Sequence, residues 1–225
     1  SGNSNFAAAI GAGNSVTGSQ NIAVGVASGE NVNGVDNIAV GTFAGQEVAG
    51  NWNAAVGTQA GRQVEGNQNS SVGYQSGRNV TGDMNAAFGA GAGSDVGSSF
   101  NTAVGAMAGT NVTGASNAAI GHEAGANISG SGNFAGGVAA GRDVAGAGNT
   151  AVGSVAGQDV EGLGNTAVGN AAGQNVNGDR NFAGGITAGQ NVSGDNHIAI
   201  GNGAGQDVSG RGNLAIGSAS GQQVG

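Results

Sequence analysis

Few side chains in this sequence are of the kinds that do chemistry, so each can be weighed by type and spacing. The two histidines, His122 and His197, lie about a third of the chain apart, and there is no cysteine. Without cysteine a thiol nucleophile, a thiolate zinc site and a disulfide are all excluded. Asp95, Asp143, Asp159 and Asp207 share one position of a repeat with Glu47. Stacked carboxylates suit calcium, but Asn fills that position in most other rows, and the Gly-Gly-x-Gly-x-Asp repeat of calcium-binding β-rolls is absent. Only Asp143 and Asp159 fall in consecutive rows, and amides between like charges read as relief of repulsion. No metal and no cofactor is expected.

The charge balance narrows the partners. Five Arg and no Lys against 13 carboxylates give a net charge of −8. Arg62 and Arg78 stack in one column, but two arginines make no basic groove, so nucleic acid is not an expected partner. The stretch "GAGAG" at residues 89–93 resembles a phosphate-binding loop only in its glycines, because no helical pattern follows and no Gly-Lys pair exists. The Asn-x-Ser/Thr triplets at Asn69, Asn79, Asn111, Asn127 and Asn191 follow from the periodic columns. Acid, base and nucleophile positions nowhere converge, and the chain is expected to be no enzyme.

What positions these residues is a period. In "NIAVGVASGENVNGVDNIAVG", residues 21–41, the second "NIAVG" starts sixteen residues after the first. Written from Asn5 in rows of sixteen, the chain gives fourteen rows with the consensus N-x-A-V-G-x-x-A-G-x-x-V-x-G-x-x. Column one reads Asn21, Asn37, Asn53, Asn69, Asn85, Asn101, Asn117, Asn133, Asn149, Asn165, Asn181 and Asn213, with His197 the one departure after Asn5. Column nine is Gly in every row, and column twelve is Val in every row but that of Ile128. A chain with 51 Gly, no Pro and few aromatics cannot build an ordinary globular core, yet random Gly-rich coil would not hold fixed columns. The glycines leave stretches of about three to five residues, too short for helices and sufficient for strands. The prediction is an all-β fold, a parallel β-solenoid or β-roll of fourteen coils, forming one repeat array over residues 1–225.

Strand alternation sends columns one, three and five to one face and two, four and six to the other. The first set, Asn, Ala and Gly, suits a narrow interior in which Asn amides bond along the stack. The second set carries an apolar stripe, chiefly column four with the large residues of column two, which forms the candidate interface: Val24, Val40, Val56, Val72, Phe88, Val104, Ile120, Phe134, Val152, Val168, Phe182, Ile200 and Ile216. Volume is traded within it. Rows with Phe6, Phe134 and Phe182 in column two carry Ala8, Gly136 and Gly184 in column four, whereas Phe88 in column four follows Ala86. Such compensation belongs to packed faces, so both faces of this strand are expected to be buried, the outer one against another copy of the chain. In column sixteen Trp52, Met84 and Phe100 are the large apolar residues, and with column fifteen they are candidates for surface recognition of a host receptor, a glycan or a surface.

The motifs "NIAVG", "NTAVG" and "NAAIG", followed by Ala, Val and Gly at short spacing, resemble the head repeats of trimeric autotransporter adhesins and similar repeats of bacteriophage tail-fibre and bacterial surface fibre proteins. That resemblance covers the whole chain and implies a left-handed parallel β-roll with three chains around one axis. It also implies a non-catalytic adhesive rod at the bacterial cell surface or on a virion fibre. The adhesin repeat is about two residues shorter and lacks the Gly of column nine. The chain opens and closes in column thirteen without an atypical coil, which suggests either a slice of a longer fibre or subunits that stack end to end into an extracellular filament. No membrane span is visible in this segment. Ice binding is a further alternative for a β-solenoid, but Thr17, Thr42, Thr102 and Thr187 fall in different columns and form no flat ladder.

Overall fold

The computed structural model of the protein describes residues 4–225, and every regular element in them is a short β-strand. The chain divides into two compact units, Ser1–Ala115 and Ser116–Gly225. Within each, three-residue strands from columns two to four pair in parallel with the strand one row away. Ile38–Val40 aligns Ile38 with Ala54 and Val40 with Val56, and Thr150–Val152 aligns Thr150 with Thr166. A second parallel sheet starts at column twelve. In the first unit it is a three-stranded sheet of Val48–Ala49, Val64–Glu65 and Val80–Thr81, and the second unit has a separate six-stranded one that begins with Ile128–Ser129 and Val144–Ala145. The register is sixteen residues throughout, so each row is one coil of a parallel β-solenoid.

The rest of each coil is turn, built by alternating backbone handedness. Columns seven, eleven and sixteen adopt left-handed angles even where they are not Gly, as at Phe43 (φ 57°), Gln63 (φ 58°) and Trp52 (φ 58°). Such residues cost roughly 1–2 kcal/mol each in isolation. Their amides offset the cost by donating to the coil before: Phe43 N to Val26 O at 2.9 Å, Gln63 N to Gln46 O at 2.9 Å and Trp52 N to Val35 O at 3.0 Å. Even the turns are therefore rungs of the ladder, and their chain direction is set by stacking.

Glycine is required where coils approach most closely. A Cβ on Gly57, in column five, would stand 2.8 Å from the carbonyl carbon of Gly73, and one on Gly66, in column fourteen, would overlap the carbonyl oxygen of Gly82. In column nine the obstacle lies inside the coil, where a Cβ on Gly61 would meet the Ala55 Cβ at 2.7 Å. Ala in columns three and eight and Val in column twelve complete a thin interior; Ala44, Ala60 and Val64 are almost fully buried. So small an apolar set leaves a slender internal space, about 200 Å³ in the first unit and about 130 Å³ in the second.

Candidate functional site

Column one forms a continuous amide ladder within each unit. Asn53 donates through both its backbone N and Nδ2 to Asn37 Oδ1, at 3.0 and 3.1 Å, and its Nδ2 also reaches Gly66 O at 2.8 Å. Asn165 repeats the pattern with Asn149 Oδ1 and Gly178 O. Each side chain thus ties the start of its own coil to the end and bonds to the coils on either side. Asn101 keeps Asn85 Oδ1 through its N and Nδ2, at 2.9 and 3.2 Å, and its Nδ2 also reaches the carbonyls of Ser98 and Ser99, at 3.3 and 3.4 Å. His197 keeps part of the pattern: its N donates to Asn181 Oδ1 at 2.9 Å, and its Nδ1 accepts from Asn213 N at 3.2 Å. Its Nε2 is buried without a partner among the described residues.

The outer face of the three-residue strands is the apolar surface that each unit presents. Val24 is half-buried, while the other column-four valines and isoleucines are exposed, from 36 % at Val40 to 64 % at Ile216. One chain therefore buries one face of this strand and leaves the other open to solvent. The volume trade has a cause within the chain. A Cβ on Gly136 would lie 3.1 Å from Phe134 Cε1, and one on Gly184 2.9 Å from Phe182 Cε1, so each ring lies over the glycine two residues ahead. None of the 18 charged residues falls in columns two, four or six, although the chain carries a net charge of −8.

Columns fifteen and sixteen, grouped together in the sequence, have different roles. Column fifteen is a second ladder: Asn51 Oδ1 accepts from Val35 N at 2.8 Å, Asn67 Oδ1 from Asn51 N at 2.9 Å, and Asp83 Oδ1 from Asn67 N at 2.7 Å. In the second unit Asp179 and Asp195 do the same for Leu163 and Asp179. These side chains are engaged in holding coils together. In column sixteen Trp52, Met84 and Phe100 are each about half exposed, and they share the first unit.

A third ladder, which the sequence reading missed, runs through column ten. Gln158, Gln174, Gln190, Gln206 and Gln222 each donate Nε2 at 2.9 Å to the carbonyl of the column-seven residue nineteen positions earlier, and Gln190 Nε2 also bonds Gln174 Oε1 at 2.9 Å. The signal was the run of Gln at sixteen-residue spacing. In column eleven the Asn and Asp side chains bond one another, as in Asn127 to Asp143 and Asn79 to Asp95, both at 2.7 Å. Asp143 and Asp159 line a shallow groove with Glu161, but among the described residues no group of three or more His, Asp or Glu side chains is placed to hold a metal ion. His122 is exposed and lies 4.0 Å from Glu123. Asp195 Oδ1 accepts the Asp179 N–H, which holds its carboxyl below the usual carboxylate range; partial desolvation opposes the shift, and Arg211 and Arg180 add to it.

No family model, curated protein or solved structure matches this chain. No helix among the described residues is long and apolar enough to cross a membrane.

Proposed function

We propose that the chain is a non-catalytic structural and adhesive rod of an extracellular or bacterial cell-surface fibre, working as a homo-oligomer for which a trimer is favoured. The observation that carries this reading is the outer strand face. Its column-four residues are apolar in coil after coil, the face is free of charge in an acidic chain, and most of it is exposed in the single copy. A regular exposed apolar surface of this kind marks an interaction site, and a second copy offers the same pitch of about 4.8 Å per coil and no opposing charge. Three ladders of polar side chains supply the rigidity that a spacer needs, and Trp52, Met84 and Phe100 are the side chains that a receptor, glycan or surface would read. Sedimentation equilibrium on the intact chain and on Val152→Asp tests the assembly. The expected result is an oligomer, with a trimer favoured, that the substitution dissociates while the circular dichroism of each chain is retained. A monomer at micromolar concentration, or an unchanged mass in the variant, would remove the outer face as an interface.

A further inference from the structure

Among the described residues three of the five arginines have partners. Arg142 pairs with Glu123 at 3.7 Å and Asp143 at 3.5 Å, Arg211 pairs with Asp195 at 3.0 Å, and Arg180 Nε donates to Asn196 Oδ1 at 3.0 Å. Arg62 and Arg78 have neither an ion pair nor a side-chain hydrogen bond, and the Nε of each is buried and unsatisfied. Both residues are half-buried, so the stems lie along the surface and the outer nitrogens reach solvent. They occupy column ten of adjacent coils, about 4.8 Å apart by strand spacing, where two positive charges would repel with nothing between them.

The surroundings explain why no carboxylate reaches them. Arg142 is followed by Asp143, whereas Arg62 is followed by Gln63 and Arg78 by Asn79. Those amides engage the nearest acids of column eleven: Gln63 Nε2 donates to Glu47 Oε2 at 3.0 Å, and Asn79 Nδ2 to Asp95 Oδ1 at 2.7 Å. In column ten below, Glu30 is occupied by Gln46 Nε2 at 2.9 Å. Glu47 and Glu65 share a shallow groove with Gln63, Asn79 and Thr81 on the side of columns eleven and thirteen, while column-ten side chains reach toward column seven. The unpaired outer nitrogens of two stacked cations are open to an anionic ligand, and a planar guanidinium suits the oxygens of a tetrahedral oxyanion.

We propose that Arg62 and Arg78 together bind an oxyanion of the sulfate or phosphate class, whose oxygens accept from the solvent-facing outer nitrogens of both guanidinium groups. The proposal goes beyond the rod reading and does not depend on assembly. The group has two sources, a free inorganic ion or a sulfated polysaccharide. The test follows the arginine Nε–Hε signals of ¹⁵N-labelled intact chain during titration with inorganic sulfate, at constant ionic strength made up with chloride, and separately with dextran sulfate. Arg62 and Arg78 are expected to shift together and saturate, with Arg142, Arg180 and Arg211 unmoved. Arg62→Gln with Arg78→Gln should abolish the response and stay folded by circular dichroism, since Gln is the commonest residue of this column. At least tenfold tighter binding per sulfate group by dextran sulfate assigns the polysaccharide source, and equal affinity assigns the free ion. Parallel shifts of all five arginines, a linear response that never saturates, or a response that survives the double substitution would overturn the site.

Discussion

Asn165 offers the most direct measure of what the column-one ladder contributes. Its side chain is buried at 5 % exposure and makes four hydrogen bonds: Nδ2 to Asn149 Oδ1 and Gly178 O, and Oδ1 from Asn181 N and Asn181 Nδ2. In Asn165→Ala, Asn149 Oδ1 keeps the Asn165 backbone N–H and Asn181 Nδ2 keeps Gly194 O, so neither is orphaned. Asn181 N–H and the Gly178 carbonyl lose these bonds inside a coil that admits little water. At about 1–3 kcal/mol for each buried group, with the small void added, the expected loss is about 3–5 kcal/mol. Asn165→Asp has nearly the same shape and sharpens the test. Its Oδ2 would face Gly178 O across 2.8 Å and Asn149 Oδ1 across 3.2 Å, an acceptor against two acceptors. The charged form is disfavoured there, so the folded pKa of the new carboxyl rises above its unfolded value of about 3.9. A raised folded pKa means that the variant is best tolerated below the unfolded value, and its stability falls as pH rises through the folded one. Urea unfolding by circular dichroism at pH 4 and pH 7, with hydrogen exchange at the Asn181 amide, reads both effects. A loss below about 1 kcal/mol in the Ala variant, or an Asp variant equally stable at both pH values, would refute this account of the ladder.

Three further expectations rest on separate parts of the structure. Gly136→Val should destabilise by about 1–3 kcal/mol because the new side chain displaces the Phe134 ring, and adding Phe134→Thr should recover most of the loss by copying the Thr150–Val152 strand; additive losses in the double-mutant cycle would count against the ring contact. Deleting residues 149–164 should leave a folded solenoid, since Asn165 then stacks on Asn133 in register, whereas deleting 149–156 should break every ladder beyond the cut; equal damage by circular dichroism would deny the row its status as the unit. The depressed Asp195 pKa contributes stability that is present above the unfolded pKa and lost as pH falls through the folded one, so Asp195→Asn should flatten the acid limb of the stability profile, and an unchanged limb would exclude Asp195 as its source.

The sixteen-residue period, read with 51 Gly, no Pro and few aromatics, determined the parallel β-solenoid and its coil length. Alternation within N-x-A-V-G determined which face holds Asn and Ala, because side-chain direction in a strand depends on parity alone. Those readings are local, and local patterns survive in a sequence. What the variable columns do was decided only by the stack. Asn51, Asn67 and Asp83 look like free surface polars until the neighbouring coil places a backbone amide within 2.9 Å of each. Gln158 and Arg62 share a column and a polar character, yet Gln158 donates to Ala139 O while the Arg62 Nε finds no acceptor. The left-handed angles at Phe43 and Trp52 likewise follow from amides donated to the preceding coil, which no propensity of Phe or Trp would suggest. Each of these outcomes joins residues sixteen to nineteen positions apart, so it exists only once the coils are closed and stacked.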